Sequence, residues 1–243
     1  MATDPRGKVA LVTGASSGIG RALAHHLAAA GVRLALAARS TERLAAVKER
    51  LGDADVALLP TDLAQPGEVD AMVDAALARF GRIDMLLANA GLYAPGAVAD
   101  GDPDFFDQTI AVNLNSVVRA ARRVLPGMMQ QGSGDILVTS SISGHQALHW
   151  EPVYSATKHA IQSFVHGLRI QAAPYGVRVG AIAPGVVLNE LWGYIDPAAI
   201  AAKVAAHEGL TSDDVAEAAM FMLTRPAHVT IRDLVILPQN QAI

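Results

Sequence analysis

"KVALVTGASSGIGRALAHHLAAAG", Lys8 to Gly31, decides the fold. A short apolar run, Val9 to Val12, reads as a strand buried on both faces. From Gly18 the apolar residues recur at helical period, and between run and helix lies the turn "TGASSGIG", Thr13 to Gly20. Glycines 14, 18 and 20 allow close backbone approach, and a helix N-terminus offers amide donors and positive potential to an anion such as a pyrophosphate. The spacing differs from the usual G-x-G-x-x-G of dinucleotide sites. No Lys-Ser or Lys-Thr follows Gly20, which counts against a nucleotide triphosphatase loop. A plain strand-to-helix connection stays open at this point.

The same alternation continues outward. "VRLALAAR", "VALLPTD", "IDMLLANAG", "GDILVTSS", "VRVGAIAPG" and "DLVILP" are short apolar runs bounded by Gly, Pro, Asp or Arg. Between most of them lie helix-patterned stretches such as "EVDAMVDAALARFG". Strand alternating with helix predicts an α/β chain: a single-domain, Rossmann-type doubly wound fold over residues 1–243, with a seven-stranded, mostly parallel sheet and helices on both faces. Ligands then gather beyond the carboxyl ends of the strands.

Bulk composition narrows the function. Of 243 residues 51% are hydrophobic and 17% charged, which is an ordered globular composition. A net charge of −4 with scattered arginines argues against nucleic acid as a partner. The absence of cysteine excludes disulfides, thiol catalysis and thiolate metal sites. The start, "MATDPRGKVALVTG", is unlike a signal peptide, and no apolar run approaches a membrane span. A cytoplasmic protein with no membrane partner is expected.

"YSATK", Tyr154 to Lys158, puts a phenol and an ammonium one helical turn apart. A nearby cation favours the phenolate, so the pair is suited to proton transfer near neutral pH. Alone, the spacing also fits a solvated helix turn. Taken in order, "TGASSGIG", "NAG" (Asn89 to Gly91), Asn113 in "AVNLN", Ser141, "YSATK" and "PG" (Pro184-Gly185) resemble the short-chain dehydrogenase/reductase superfamily over almost the whole chain. "WEPVYSATKHA" and the tail "FMLTRPAHVTIRDLVILPQNQ" are similar to ribitol-type polyol dehydrogenases. "PGVVLNEL" and that same tail are also similar to clavaldehyde-type reductases.

The resemblance implies a role for each residue. Tyr154 exchanges the hydroxyl proton during hydride transfer. Lys158 lowers the phenol pKa and binds the nicotinamide ribose, Ser141 hydrogen-bonds the reacting oxygen, and Asn113 holds a water in a proton relay reaching Lys158. Ser140 and Ser143 are the other serines of that stretch, and Asn115 is the rival of Asn113. The cofactor would be held by Gly14, Ser16, Ser17, Gly18, Ile19 and Gly20 in the turn, and by Asp62, Asn89, Ala90 and Gly91. Pro184, Gly185, Val187 and Asn189 would meet its nicotinamide side. Asp62 has a helix or turn cap as its alternative role. Asn189 stands where the family usually has threonine, and Gln171 where it commonly has glutamate.

In "LAARS", Ala38 precedes Arg39 and Ser40, so the carboxylate of an NAD-specific site is absent. Arg39 with Ser16 suits a 2′-phosphate, which favours NADP(H), with NAD(H) as the alternative. A substrate loop is expected at about 186–210. His145, Trp150, Glu151, Trp192 and Tyr194 are expected to line the substrate pocket. No metal is expected, because His145 and His149 sit in a loop without a third ligand.

The function expected is interconversion of a secondary alcohol, polyol- or sugar-like, and a ketone. An aldehyde or ketone reductase of secondary metabolism is the nearest alternative, and a non-catalytic nucleotide-binding sensor the alternative from another class. A reductase of acyl-carrier-protein substrates is disfavoured, since Gly132 and Tyr175 stand where basic residues would meet an acidic carrier. So is a methyltransferase, which would want an acidic residue at Arg39. Apolar residues around the helix of Tyr154 (Ile161, Phe164, Val165, Leu168 and Ile170) and the family resemblance suggest a homotetramer, with a dimer as the smaller option.

Overall fold

The structure is a computed structural model that describes residues 3–243. Seven strands form one sheet: β1 (Val9–Thr13), β2 (Arg33–Ala38), β3 (Val56–Pro60), β4 (Met85–Ala88), β5 (Gly134–Thr139), β6 (Val177–Pro184) and β7 (Asp233–Ile236). Their order is β3-β2-β1-β4-β5-β6-β7, and every neighbouring pair is parallel. The seven apolar runs are these seven strands. The strand order reverses between β1 and β4, where a doubly wound sheet opens its ligand crevice.

Helices cover both faces. Strand alternation sends Val9 and Leu11 into one core, with Val69, Met72, Ala120 and Ile161. Ala10 and Val12 enter the other, with Leu23, Leu27, Val215 and Ala219. The first core is roofed by α3 (Pro66–Phe80), α5 (Ser116–Gln131) and α6 (Pro152–Ala172), the second by α1 (Gly18–Ala29), α2 (Thr41–Arg50) and α8 (Ser212–Leu223). Residues such as Leu11 and Leu86 are fully buried, and truncating one to alanine would cost about 2–5 kcal/mol.

Two further helices, α4 (Pro103–Ile110) and α7 (Pro197–Ala205), lie in the segments that follow β4 and β6. A π-helical turn, Ala111–Asn115, joins α4 to α5 and carries Asn113. The segment after β6 is tied at its base: Leu188 N–H donates to Leu210 O at 2.8 Å and Leu210 N–H to Val186 O at 2.9 Å. Of the apolar residues around this helix, Ile161, Val165 and Leu168 form the face that covers the sheet. Helix α6 lies flat on the sheet, so only Ile170 at its far end stands well exposed. No described helix is long and apolar enough to cross a membrane.

Candidate active site

Beyond the carboxyl ends of β1 to β6 lies a cleft of about 370 Å³. Its wall brings together Gly14, Ser16, Ser17, Gly18 and Ile19 of the turn, Arg39, Asp62, Asn89 to Gly91, Ser141, Tyr154, Lys158, Pro184, Gly185, Val187, Asn189 and Trp192. Residues far apart in sequence meet there because each follows a strand of one parallel sheet.

At the nucleotide end the turn is fixed by contacts within the protein. Gly14 has φ +67°, and a Cβ there would stand 2.9 Å from Ala90 Cα. A Cβ on Gly20 would come within 2.2 Å of Gly14 O. These two glycines therefore serve first to press the turn against the loop after β4. Thr13 Oγ1 accepts from Asn89 N–H and Ala90 N–H, each at 3.1 Å, locking that loop from the other side. Ala15 N–H donates to Ala37 O at 3.1 Å and holds Ser16 beside the end of β2.

Arg39 is joined in the wall by Arg43, which the sequence reading passed over. Ser40 caps α2 by accepting from Arg43 N–H at 3.2 Å, so the cap also places this second guanidinium. Among the described residues neither arginine is in an ion pair. Asp62 lines the cleft and also plays its alternative part: its Oδ1 accepts from Ala64 N–H at 3.1 Å.

Glu190 was likewise overlooked, although an acidic residue directly after Asn189 was a visible signal. Its Oε2 accepts from Gly18 N–H at 3.0 Å and its Oε1 pairs with Arg21 at 2.8 Å. Burial opposes its charge, but its hydrogen bonds and Arg21 prevail and hold the carboxyl below its ordinary range. Asn189 uses its oxygen to accept from Leu191 N–H at 3.0 Å, which leaves its amide N–H groups for a ligand.

The other end of the cleft is buried. Tyr154, Lys158 and Ser141 are 6%, 4% and 8% exposed. Lys158 Nζ donates to Thr139 O at 2.9 Å and lies 5.5 Å from the Tyr154 ring centroid. Burial lowers the ammonium pKa to about 8. Burial also raises the Tyr154 phenol; a bond with Ser141 pulls it partly back, and the Glu151 carboxylate adds to the rise. Lys158 is not among the causes that shift the phenol in the free protein. Its amine is held toward Thr139, and in the free protein desolvation dominates.

Asn113 is 1% exposed, whereas Asn115 is exposed. The Asn113 amide clamps Leu92, accepting from its N–H at 2.7 Å and donating to its carbonyl at 2.9 Å. Asn113 Oδ1 and Lys158 Nζ border one space: a Cβ built on Gly91 would meet them at 3.4 and 3.8 Å. Thr139 Oγ1 donates to Asn89 Oδ1 at 3.1 Å, so Thr13, Asn89, Thr139 and Lys158 form one polar chain across the strand ends.

The expected substrate-pocket residues part company. Trp192 lines the cleft and packs on Tyr93 at 4.2 Å between centroids. His145, Trp150 and Tyr194 are absent from its wall. His145 turns back to Asp233 at 3.0 Å and Gln162 at 3.1 Å. Trp150 is 48% exposed and meets His149 edge-on, and Tyr194 lies 5.9 Å from the Lys203 amine. The loops carrying these residues had no periodicity from which to read direction.

Comparison with known proteins agrees with this geometry. A sequence model described as short chain dehydrogenase matches residues 8–199. An uncharacterized oxidoreductase of Staphylococcus saprophyticus is 38% identical over 234 residues, 95% of this chain and 97% of that protein. Among solved structures, an alcohol dehydrogenase from the archaeon Thermococcus sibiricus, complexed with 5-hydroxy-NADP, is 31% identical with TM-score 0.88. The match covers 97% of this chain and 98% of that one. A 3-ketoacyl-(acyl-carrier-protein) reductase from Brucella melitensis, complexed with NADH, is 30% identical with TM-score 0.86, covering 96% and 98%.

Proposed function

The chain belongs to the short-chain dehydrogenase/reductase family, and from that premise we propose that it is an NADP(H)-dependent oxidoreductase interconverting a secondary alcohol, polyol- or sugar-like, and a ketone. The observation that carries the reading is a buried phenol and a buried serine in one cleft wall, with an ammonium one helical turn away, at the inner end of a cleft whose outer end bears two arginines without ion pairs. The residues present fit a nicotinamide dinucleotide. Arg39, Arg43 and Ser16 would hold a 2′-phosphate, Asn89 to Gly91 the adenosine ribose, and Lys158 the nicotinamide ribose. When bound, the nicotinamide supplies or accepts the hydride.

The protein's own part is to place and move a proton. With its pKa raised, Tyr154 keeps its proton at neutral pH in the free protein and is ready to give it to a carbonyl oxygen. Ser141 donates a hydrogen bond to that oxygen as charge develops on it. The space beside Gly91, bordered by Asn113 Oδ1 and Lys158 Nζ, suits the water of a proton relay. A phenol that holds its proton also favours the second reading, an aldehyde or ketone reductase. The substrate named for the Brucella relative is not carried over, because Gly132 and Tyr175 offer an acidic carrier no positive charge.

The assembly is a homotetramer in this reading. It is supported by Ile170 and Tyr175 near the end of α6, 65% and 46% exposed, and by Phe221 and Val235 on α8 and β7, 48% and 46% exposed. The segment at about 186–210 is the substrate loop, and the protein is cytoplasmic. Turnover assays across polyols, ketones and aldehydes with both nicotinamide cofactors test the reading. NADPH-linked reduction of a ketone or aldehyde, or NADP+-linked oxidation of a polyol, is expected. Failure of every pair, with the dinucleotides nonetheless bound, would favour a sensor.

A further inference from the structure

Asp84, Asp135 and Glu151 are the buried carboxylates among the described residues. Asp84 faces Arg82 and Asp135 faces Arg178, whereas Glu151, 1% exposed, has no cation. An unpaired buried charge is costly, so a fold that keeps one calls for an explanation. Capping does not provide it. Glu151 occupies the N-cap position of α6, yet its side chain accepts no bond from that helix. The carboxylate turns to the active site, accepting from Ser143 Oγ at 2.5 Å.

Hydrogen counting shows what this arrangement does. An ionised carboxylate only accepts, so Ser143 commits its proton to it. Ser143 Oγ, 3.2 Å from Ser141 Oγ, is then left as an acceptor toward Ser141. Ser141 Oγ already accepts from Ser143 N–H at 3.1 Å, which fixes its oxygen. Its proton therefore points either to Ser143 or to the oxygen beside Tyr154, and Ser143 does not compete to donate to it. We propose that Glu151 is a positioning residue, whose carboxylate takes the proton of Ser143 and so keeps Ser141 a donor, free to turn its proton from Ser143 Oγ to the reacting oxygen. The proposal deepens the oxidoreductase reading and rests on it.

The same negative charge helps to keep the proton on Tyr154. The groups facing that phenol are Lys158 on its own helix, Ser141 after β5, Glu151 at the head of α6, and Tyr93 after β4 with ring centroids 5.1 Å apart. Of these, Glu151 is the one that Glu151→Gln neutralises.

The test compares wild type with Glu151→Gln, Glu151→Asp and Ser143→Ala. Glu151→Gln should lower kcat by about tenfold or more, since a charged hydrogen-bond acceptor is lost, and Glu151→Asp should restore part of it. The acid limb of alcohol oxidation should move down by about one pH unit in Glu151→Gln, and stay in place in Ser143→Ala, which breaks the chain but keeps the charge. Ultraviolet phenolate absorbance reads the same shift in cofactor-free protein. The contribution missing in Tyr154→Phe should begin at lower pH in Glu151→Gln than in wild type. That readout needs no substrate, so a wild type without turnover would sink the oxidoreductase reading while leaving this one testable. Wild-type kcat with an unmoved phenolate onset, or a rate loss without any movement of that onset, overturns the proposal. If Glu151→Gln fails to fold, Ser143→Ala decides, and a kcat within about twofold of wild type rejects it.

Discussion

The two ends of the cleft are built on opposite terms. At the nucleotide end, Arg39 and Arg43 are exposed, Ser16 and Ser17 are half-buried, and the turn is shaped by glycine packing and main-chain bonds. At the catalytic end, Asn113, Ser141, Glu151, Tyr154 and Lys158 are all buried, and burial leads the causes shifting Tyr154 and Lys158. Exposed groups keep their ordinary charge and contribute binding energy. Buried groups have their protonation set by the fold, which suits them to chemistry. On this account cofactor selection and proton transfer reside in different parts of one cleft and can be removed separately.

The largest expected break is at the buried end. Tyr154→Phe should lower kcat by about 10²–10⁴-fold or more while the affinity for NADPH is kept. Steady-state assay together with a fluorescence titration checks both halves, and turnover within tenfold of wild type would remove Tyr154 from its role. At the exposed end the effect should be smaller and of another kind. Arg39→Ala should raise KM for NADPH by tenfold to about a hundredfold and leave KM for NADH almost unchanged, as expected for one charge-assisted bond worth about 1.5–3 kcal/mol. Ala38→Asp should move preference toward NADH, which the same assay reads.

The smallest effect is on stability, and its sign is the informative part. Lys158 has its pKa lowered from 10.5 to about 8, so between those values the unfolded chain binds the proton more tightly. Folded stability therefore rises with pH through that window, and below pH 8 the full cost of burying the ammonium is present. The shift corresponds to about 3 kcal/mol. Allowing about 1 kcal/mol for the lost bond to Thr139, Lys158→Met should stabilise the cofactor-free protein by about 2 kcal/mol at pH 7. By the same sum the gain should fall to nothing at about pH 10 and reverse above it. Denaturant midpoints at the two pH values measure it, and a loss of stability at pH 7 would contradict the burial argument.

The strands and the outline of the cleft were legible because their signals are local. Seven apolar runs bounded by breakers became seven strands, and the parallel order followed from the helices between them. Tyr154 and Lys158 stood at a helical spacing that any helix would honour. Direction within loops was not legible. His145, Trp150 and Tyr194 have the right chemistry for a pocket, yet an irregular backbone turns them to Asp233, to solvent and toward Lys203. Glu151 was expected at the pocket wall and lies behind it, reaching the site through Ser143. The burial of the phenol was not legible for a related reason. Sequence spacing shows which charge is near, while the degree of burial that outweighs it arises only when α6 packs against the sheet.

The division of labour between the two ends is tested most directly by kcat and KM for wild-type protein with NADPH and with NADH, on one substrate. Contacts to a 2′-phosphate remote from the reacting carbon bind ground state and transition state alike, so they lower KM without raising kcat. The account predicts a preference for NADPH carried almost wholly by KM, of about two to four decades if two charge-assisted bonds reach the phosphate, with kcat values within a few-fold. A preference for NADH in kcat/KM, or an NADPH preference residing in kcat, would contradict it.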